Sequence, residues 1–136
     1  VLWSFGRIGS VSVSPDQKTL LYDVTYFNKE EDRSNSDIYV MNLADGKSQQ
    51  LTDTDYKEFG ETWTSDGKIA FMSSKSGSVQ LWEMNADGSG LTQLTNVEGG
   101  IGGFIFSPDK SKLLFLKDWN KMFTTYTPIS RKQMPV

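Results

Sequence analysis

Short runs of alternating apolar and polar residues, separated by turn formers, recur along the chain, and no window sustains a 3.6-residue helical period. Each run has strand length, and the runs fall into ordered sets. A first run closes on a turn of Ser-Pro-Asp type, at residues 10–14, 60–64 and 103–107. There a Pro presets φ for the turn, and Ser or Asp oxygens accept from amides two residues on. A second, more apolar run follows: Leu20-Leu21-Tyr22, Ile69-Ala70-Phe71 and Leu113-Leu114-Phe115. A third spans Ile38 to Met41 and Leu81 to Met84, and leads through Asp45-Gly46 or Asp87-Gly88 into a fourth, Gln50 to Thr52 or Gln93 to Thr95. Asp-Gly supplies the positive-φ positions of a tight hairpin.

The runs are a sequence repeat. Asp37-Ile38-Tyr39-Val40-Met41-Asn42 returns as Gln80-Leu81-Trp82-Glu83-Met84-Asn85, and Leu51 to Leu94 and Ser65 to Pro108 are each 43 residues apart. The first spacing, Pro15 to Ser65, is 50, with the excess mostly in one connection: Tyr22 to Tyr39 spans 17 residues, Phe71 to Trp82 only 11. Four strands in such a period match one blade of a β-propeller. The pattern therefore predicts an all-β fold, a partial β-propeller of about three four-stranded antiparallel blades. Blade 1 covers about residues 9–52, blade 2 about 53–95 and an incomplete blade 3 about 96–118, with a non-repeating tail over 119–136. A β-sandwich is disfavoured, because it does not require one motif at the same strand position three times.

Composition narrows the chemistry. The 136 residues include no cysteine and no histidine, which excludes disulfides, thiolate metal sites, histidine ligands and a Ser-His-Asp triad within this chain. Fourteen Lys and Arg against seventeen Asp and Glu, interspersed, give a net charge of −3, so no basic stripe for nucleic acid is expected. No apolar stretch has the length of a membrane span, and Val1 to Ser10 lacks the charged-then-apolar pattern of a secretory signal.

The Ser-Pro-Asp turn with its Lys, the apolar strand, Asp-Ile-Tyr-Val-Met-Asn and the Leu-Thr close resemble the TolB-type, WD-like propeller repeat over about residues 8–117. Leu2-Trp3-Ser4-Phe5-Gly6-Arg7-Ile8-Gly9, Tyr22-Asp23-Val24-Thr25-Tyr26 and Ser34-Asn35-Ser36-Asp37 are more particularly similar to the amino-terminal propeller of prolyl oligopeptidase family serine peptidases, in the dipeptidyl and acylaminoacyl peptidase branch. The second repeat departs from the pattern with Thr64-Ser65 in place of Ser-Pro. That resemblance implies a non-catalytic propeller that gates or binds peptide for a hydrolase domain this chain lacks, in an exported or periplasmic setting that leaves the cytoplasm open. A stand-alone TolB-like interaction module, or a truncated remnant without function, is the alternative. Propeller lyases that resemble metal enzymes with histidine ligands are disfavoured by the lack of histidine. Codons for residues 122–136 can be chosen so that, read one base earlier, they spell a run like the branch's third blade, so the resemblance also implies a frameshifted tail.

Candidate sites are few, and no catalytic, cofactor or metal residue is assigned. Asn85-Ala86-Asp87-Gly88-Ser89-Gly90 has the oxygen spacing of a calcium loop, but Asn96 stands where such a loop needs a bidentate Glu, so a hairpin turn is expected. The glycines from Gly99 to Gly103 suggest close backbone approach near a propeller axis. Trp63, Phe71, Trp82, Phe104, Phe106 and Phe115 recur at equivalent places and are expected between blades. The long connection between the second and third strands of blade 1 carries Glu30, Glu31, Asp32 and Arg33, which are candidates for contact with a peptide or a neighbouring domain. Open blade faces further predict self-association.

Overall fold

The computed structural model describes residues 5–118 and 121–128. Among them are eleven strands, all antiparallel in their pairings, in three sheets. The first sheet takes β1 (Arg7–Val13), β2 (Thr19–Asn28), β3 (Arg33–Asn42) and β4 (Ser48–Gln50) in chain order. The second repeats that order with β5 (Glu58–Trp63), β6 (Ile69–Ser73), β7 (Gln80–Met84) and β8 (Thr92–Gln93). The third comprises β9 (Gly103–Phe106), β10 (Lys112–Asp118) and β11 (Lys121–Pro128). The all-β, partial-propeller expectation thus holds.

The chain does not leave the third sheet at 118. β11 runs back along β10 from Asp118↔Lys121 to Lys112↔Pro128, without the Asp-Ile-Tyr-Val motif of the other third strands. The run Met122-Phe123-Thr124-Thr125-Tyr126-Thr127 is rich in aromatic and β-branched residues, which suits a strand whatever its repeat register. The remaining residues of the expected tail, 119, 120 and 129–136, lie outside the described residues, as do Leu2, Trp3 and Ser4 of the opening motif.

Two apolar clusters hold the sheets together, one at each junction. Leu21, Ile38 and Val40 of blade 1 meet Ile69, Phe71 and Met84 of blade 2, with Leu51, Trp63 and Trp82 packed alongside. On the other side Ala70, Met72, Leu81, Leu94 and Ile101 meet Leu113 and Phe115 of blade 3, joined by Val79, Val97, Phe104 and Phe106. Period-2 alternation does this: Ile69 and Phe71 point one way from β6, Ala70 and Met72 the other. Having a neighbour on each face, all five residues of β6 are buried. The six repeated aromatic residues lie in these two clusters.

Each Leu-Thr close is a clasp that ties a blade's third strand to the connection leaving it. Thr52 Oγ1 accepts the Ile38 amide, and Thr95 Oγ1 accepts the Leu81 amide, each at 2.9 Å. In blade 2 the clasp is completed by Gln80, which accepts from Thr95 Oγ1 at 2.7 Å and from the Val97 amide at 3.0 Å, and donates to the Val97 carbonyl at 2.8 Å. In blade 1 Asp37 takes that place with longer bonds, 3.5 Å from Thr52 Oγ1 and 3.4 Å from the Thr54 amide. A carboxylate can only accept, so it lacks the second half of the Gln80 grip.

The turns between first and second strands follow their sequence. Asp16 accepts from Ser14 Oγ at 2.6 Å and the Lys18 amide at 3.1 Å, and Asp109 from Ser107 Oγ at 2.6 Å and the Ser111 amide at 3.0 Å. The positive-φ position is Gln17 (60°) and Lys110 (57°) in the longer turns and Gly67 (78°) in the shorter one.

Candidate functional site

The long β2–β3 hairpin of blade 1 overhangs the connection into blade 2, to which Asn35 Nδ2 ties it by donating to the Thr54 carbonyl at 2.7 Å. Under the hairpin tip is a recess of about 560 Å³. It brings together Glu30, Glu31 and Arg33 of the predicted contact set with Tyr26, Asn28 and Asp55. Asn28 Oδ1 shapes the tip by accepting the Glu30 amide at 3.0 Å, and Arg33 Nε donates to Glu31 Oε2 at 2.5 Å. Asp32 instead occupies the turn at φ 49° and does not line the recess.

A second cavity, of about 200 Å³, lies at the blade 1–blade 2 junction, between the Leu51-to-Thr54 segment and blade 2. Glu58, Phe71, Lys75 and Trp82 help to line it. Glu58 is 2% exposed and accepts from Thr54 Oγ1 at 2.6 Å, while burial pushes its carboxyl above the usual range. A third polar group links β1, β2 and β5: Ser10 donates from its amide at 2.5 Å and its hydroxyl at 3.0 Å to Asp23 Oδ1, and its hydroxyl also contacts Glu61 Oε1. Burial, reinforced by the Asp23 charge, raises Glu61 to about 7. A Cβ at Gly9 would press on the Asp23 carboxylate, which would have to shift from its place beside Ser10.

Neither buried glutamate belongs to the predicted set, yet a signal existed in the repeat. Counted back from Ser14, Thr64 and Ser107, Glu61 stands where Val11 and Phe104 stand, and Glu58 where Ile8 and Ile101 stand. A charge at a position that is apolar in both sister repeats marks a departure from plain packing.

The other motifs are structural. Asp87 Oδ1 accepts the Ser89 amide at 3.0 Å and the Ser89 hydroxyl at 2.5 Å within a hairpin turn. Gly100, at φ 84°, lies against the backbone of Val79 in the connection before β7, and a Cβ would approach the Val79 carbonyl to 2.8 Å. Among the described residues no group of three or more Asp and Glu is placed to hold a metal ion, and no helix is long and apolar enough to cross a membrane.

Repeated four-stranded antiparallel sheets, packed face to face through apolar clusters and clasped at each exit, define a β-propeller segment. Residues 4–134 match the TolB beta propeller domain, and the chain belongs to that family. It is 44% identical over 116 residues to a dipeptidyl-peptidase 5 of Porphyromonas gingivalis, an alignment that covers 85% of this chain and 17% of the relative. The chain thus spans about a sixth of that peptidase's length. Among solved structures it superposes on TolB from Acinetobacter baumannii (TM-score 0.66, 21% identity, 93% of this chain and 31% of that one). It also superposes on the Pyrococcus horikoshii acylaminoacyl peptidase (TM-score 0.67, 20% identity, 85% of this chain and 18% of that one). At these identities the two structures speak for the fold.

Proposed function

We propose that this chain is the part of a propeller that flanks a serine-peptidase hydrolase domain, limiting or guiding access of peptides, and that it performs no hydrolysis itself. The 44% identity to a dipeptidyl peptidase supports the peptidase context. The observation that carries the contact role is the recess under the β2–β3 hairpin, where Glu30, Glu31 and Arg33 present both signs of charge beside Tyr26. Rigid strands hold such a loop in place, which suits it to touch a peptide or the neighbouring domain. Titrating the chain with unblocked oligopeptides and following backbone amide resonances tests this. Shifts concentrated at residues 28–35, lost on Glu30→Ala with Glu31→Ala, are expected; shifts scattered elsewhere, or none, overturn the contact role.

The outer faces support a second element of the reading. Val11 (58% exposed) and Val13 (49%) on blade 1 and Ile105 (63%) on blade 3 are apolar residues with no blade beside them. In this proposal they meet further blades of the ring, or a second copy when the chain stands alone. Sedimentation of the isolated chain should show association at micromolar concentration; a stable, cooperatively folding monomer counts against it. An exported, periplasmic location belongs to the same proposal and rests on the family resemblance alone.

A further inference from the structure

The blade 1–blade 2 cleft is built unlike its counterpart. At the next junction Ile101 closes against Val97 in an apolar cluster. Here the residues at the same repeat positions are Glu58 and Thr54, and both help to line a cavity of about 200 Å³. Thr54 satisfies one carboxyl oxygen, but Glu58 Oε2 is buried without a hydrogen-bond partner, and so is Trp82 Nε1 on the cavity wall. An unpaired buried carboxylate is costly, and pairing it with a cation offsets part of that cost. The wall itself accepts a cation: Lys75 Nζ lies 5.7 Å from the centre of the Trp82 ring, within cation–π range. Lys75 sits on the exposed connection after β6, so it covers the cleft without being locked in it. Asp53 adds a further negative group to the lining.

We propose that this cleft binds a primary ammonium on a short aliphatic stem, of the kind a lysine side chain of a peptide or protein carries. The ammonium pairs with Glu58, the stem packs on Phe71 and Trp82, and Lys75 is displaced. The site is distinct from the recess under the β2–β3 hairpin and stands or falls independently of it.

Titration of the 136-residue chain with n-butylammonium chloride, read by calorimetry and by the Trp82 indole resonance, tests the proposal, with n-butanol as the uncharged control. Saturable one-to-one binding is expected for the ammonium and none for the alcohol. Glu58→Gln keeps the shape and the Thr54 bond but removes the charge, and should weaken binding about tenfold. Lys75→Met removes the internal competitor from an exposed position and should tighten it. Affinity should fall as the pH is lowered through the raised Glu58 titration, because the protonated carboxyl no longer attracts a cation. Equal response to n-butanol, no saturation, or unchanged affinity in folded Glu58→Gln overturns the proposal. If Glu58→Gln fails to fold, Lys75→Met decides, and absence of tightening overturns it.

Discussion

At the junction of blades 1 and 2, Asp37, Glu58 and Glu61 are buried beside hydroxyls and other carboxyls, and burial raises all three. At the junction of blades 2 and 3 the acidic groups are held by cations instead. Lys110, in the blade 3 turn, bonds Asp66 at 2.9 and 3.0 Å and also reaches Glu83, which Lys68 approaches to 3.4 Å. Burial alone would raise Asp66, but the Thr64 hydroxyl and Lys110 outweigh it and lower its carboxyl to about 2. One repeat template therefore supports two junctions of opposite response to pH. What distinguishes them is burial together with direct bonding: Glu58 and Glu61 are buried without a lysine bonded to them, whereas Asp66 is half-exposed and bonded by the Thr64 hydroxyl and Lys110.

The most damaging change should be one both junctions share. Phe71 is 2% exposed in the first cluster, and its counterpart Phe115 is 8% exposed in the second. Phe71→Ala should cost about 3–5 kcal/mol of stability in chemical denaturation, from lost burial and the cavity left behind. A much smaller cost would mean that the two blades are not packed as described. Lys110→Met comes next and acts on the second junction alone. It should cost about 1–3 kcal/mol by leaving buried Glu83 with only the more distant Lys68. It should also move the Asp66 titration up from about 2 toward ordinary carboxylate values, which carboxyl NMR would follow.

The pH response separates the junctions further. The folded state holds a proton on Glu61 up to about pH 7, whereas the unfolded chain releases it near the ordinary glutamate value of 4.5. Stability from this group is therefore present at low pH and falls as pH rises from about 4.5 to about 7. Glu61→Gln should flatten that slope in melts taken across the range. Asp66 acts in the opposite sense, its contribution being lost as pH falls from 3.8 toward 2. The smallest effect concerns the turns. Gly67→Ala, with open space around the missing Cβ, should cost roughly 1 kcal/mol through backbone strain alone, and Gln17→Gly should return a similar amount.

Much of the fold was legible because a propeller blade is a local, repeated object. Asp-Gly hairpins, Ser-Pro-Asp turns and period-2 strands are short-range signals, and three copies make them mutually reinforcing. The third strand of blade 3 was missed because Lys121–Pro128 carries strand propensity without the repeat motif. The hairpin acids Glu30 and Glu31 were legible as a loop, and their placement around one recess with Asp55 came only with the fold. Glu58 and Glu61 are single charges in otherwise polar-apolar strands, and only comparison between repeats marks them.

The order of strands, the blade period and the faces that become core were set by residue pattern alone, since alternation and turn chemistry act within a few residues. Which carboxyl is bonded by a lysine, and which is left with hydroxyls and a cavity, was decided by tertiary structure. Lys110 is 44 residues from Asp66 in sequence, and Glu61 is 51 from Ser10. Electrostatics and desolvation depend on distances in space, and those exist only once the blades have packed.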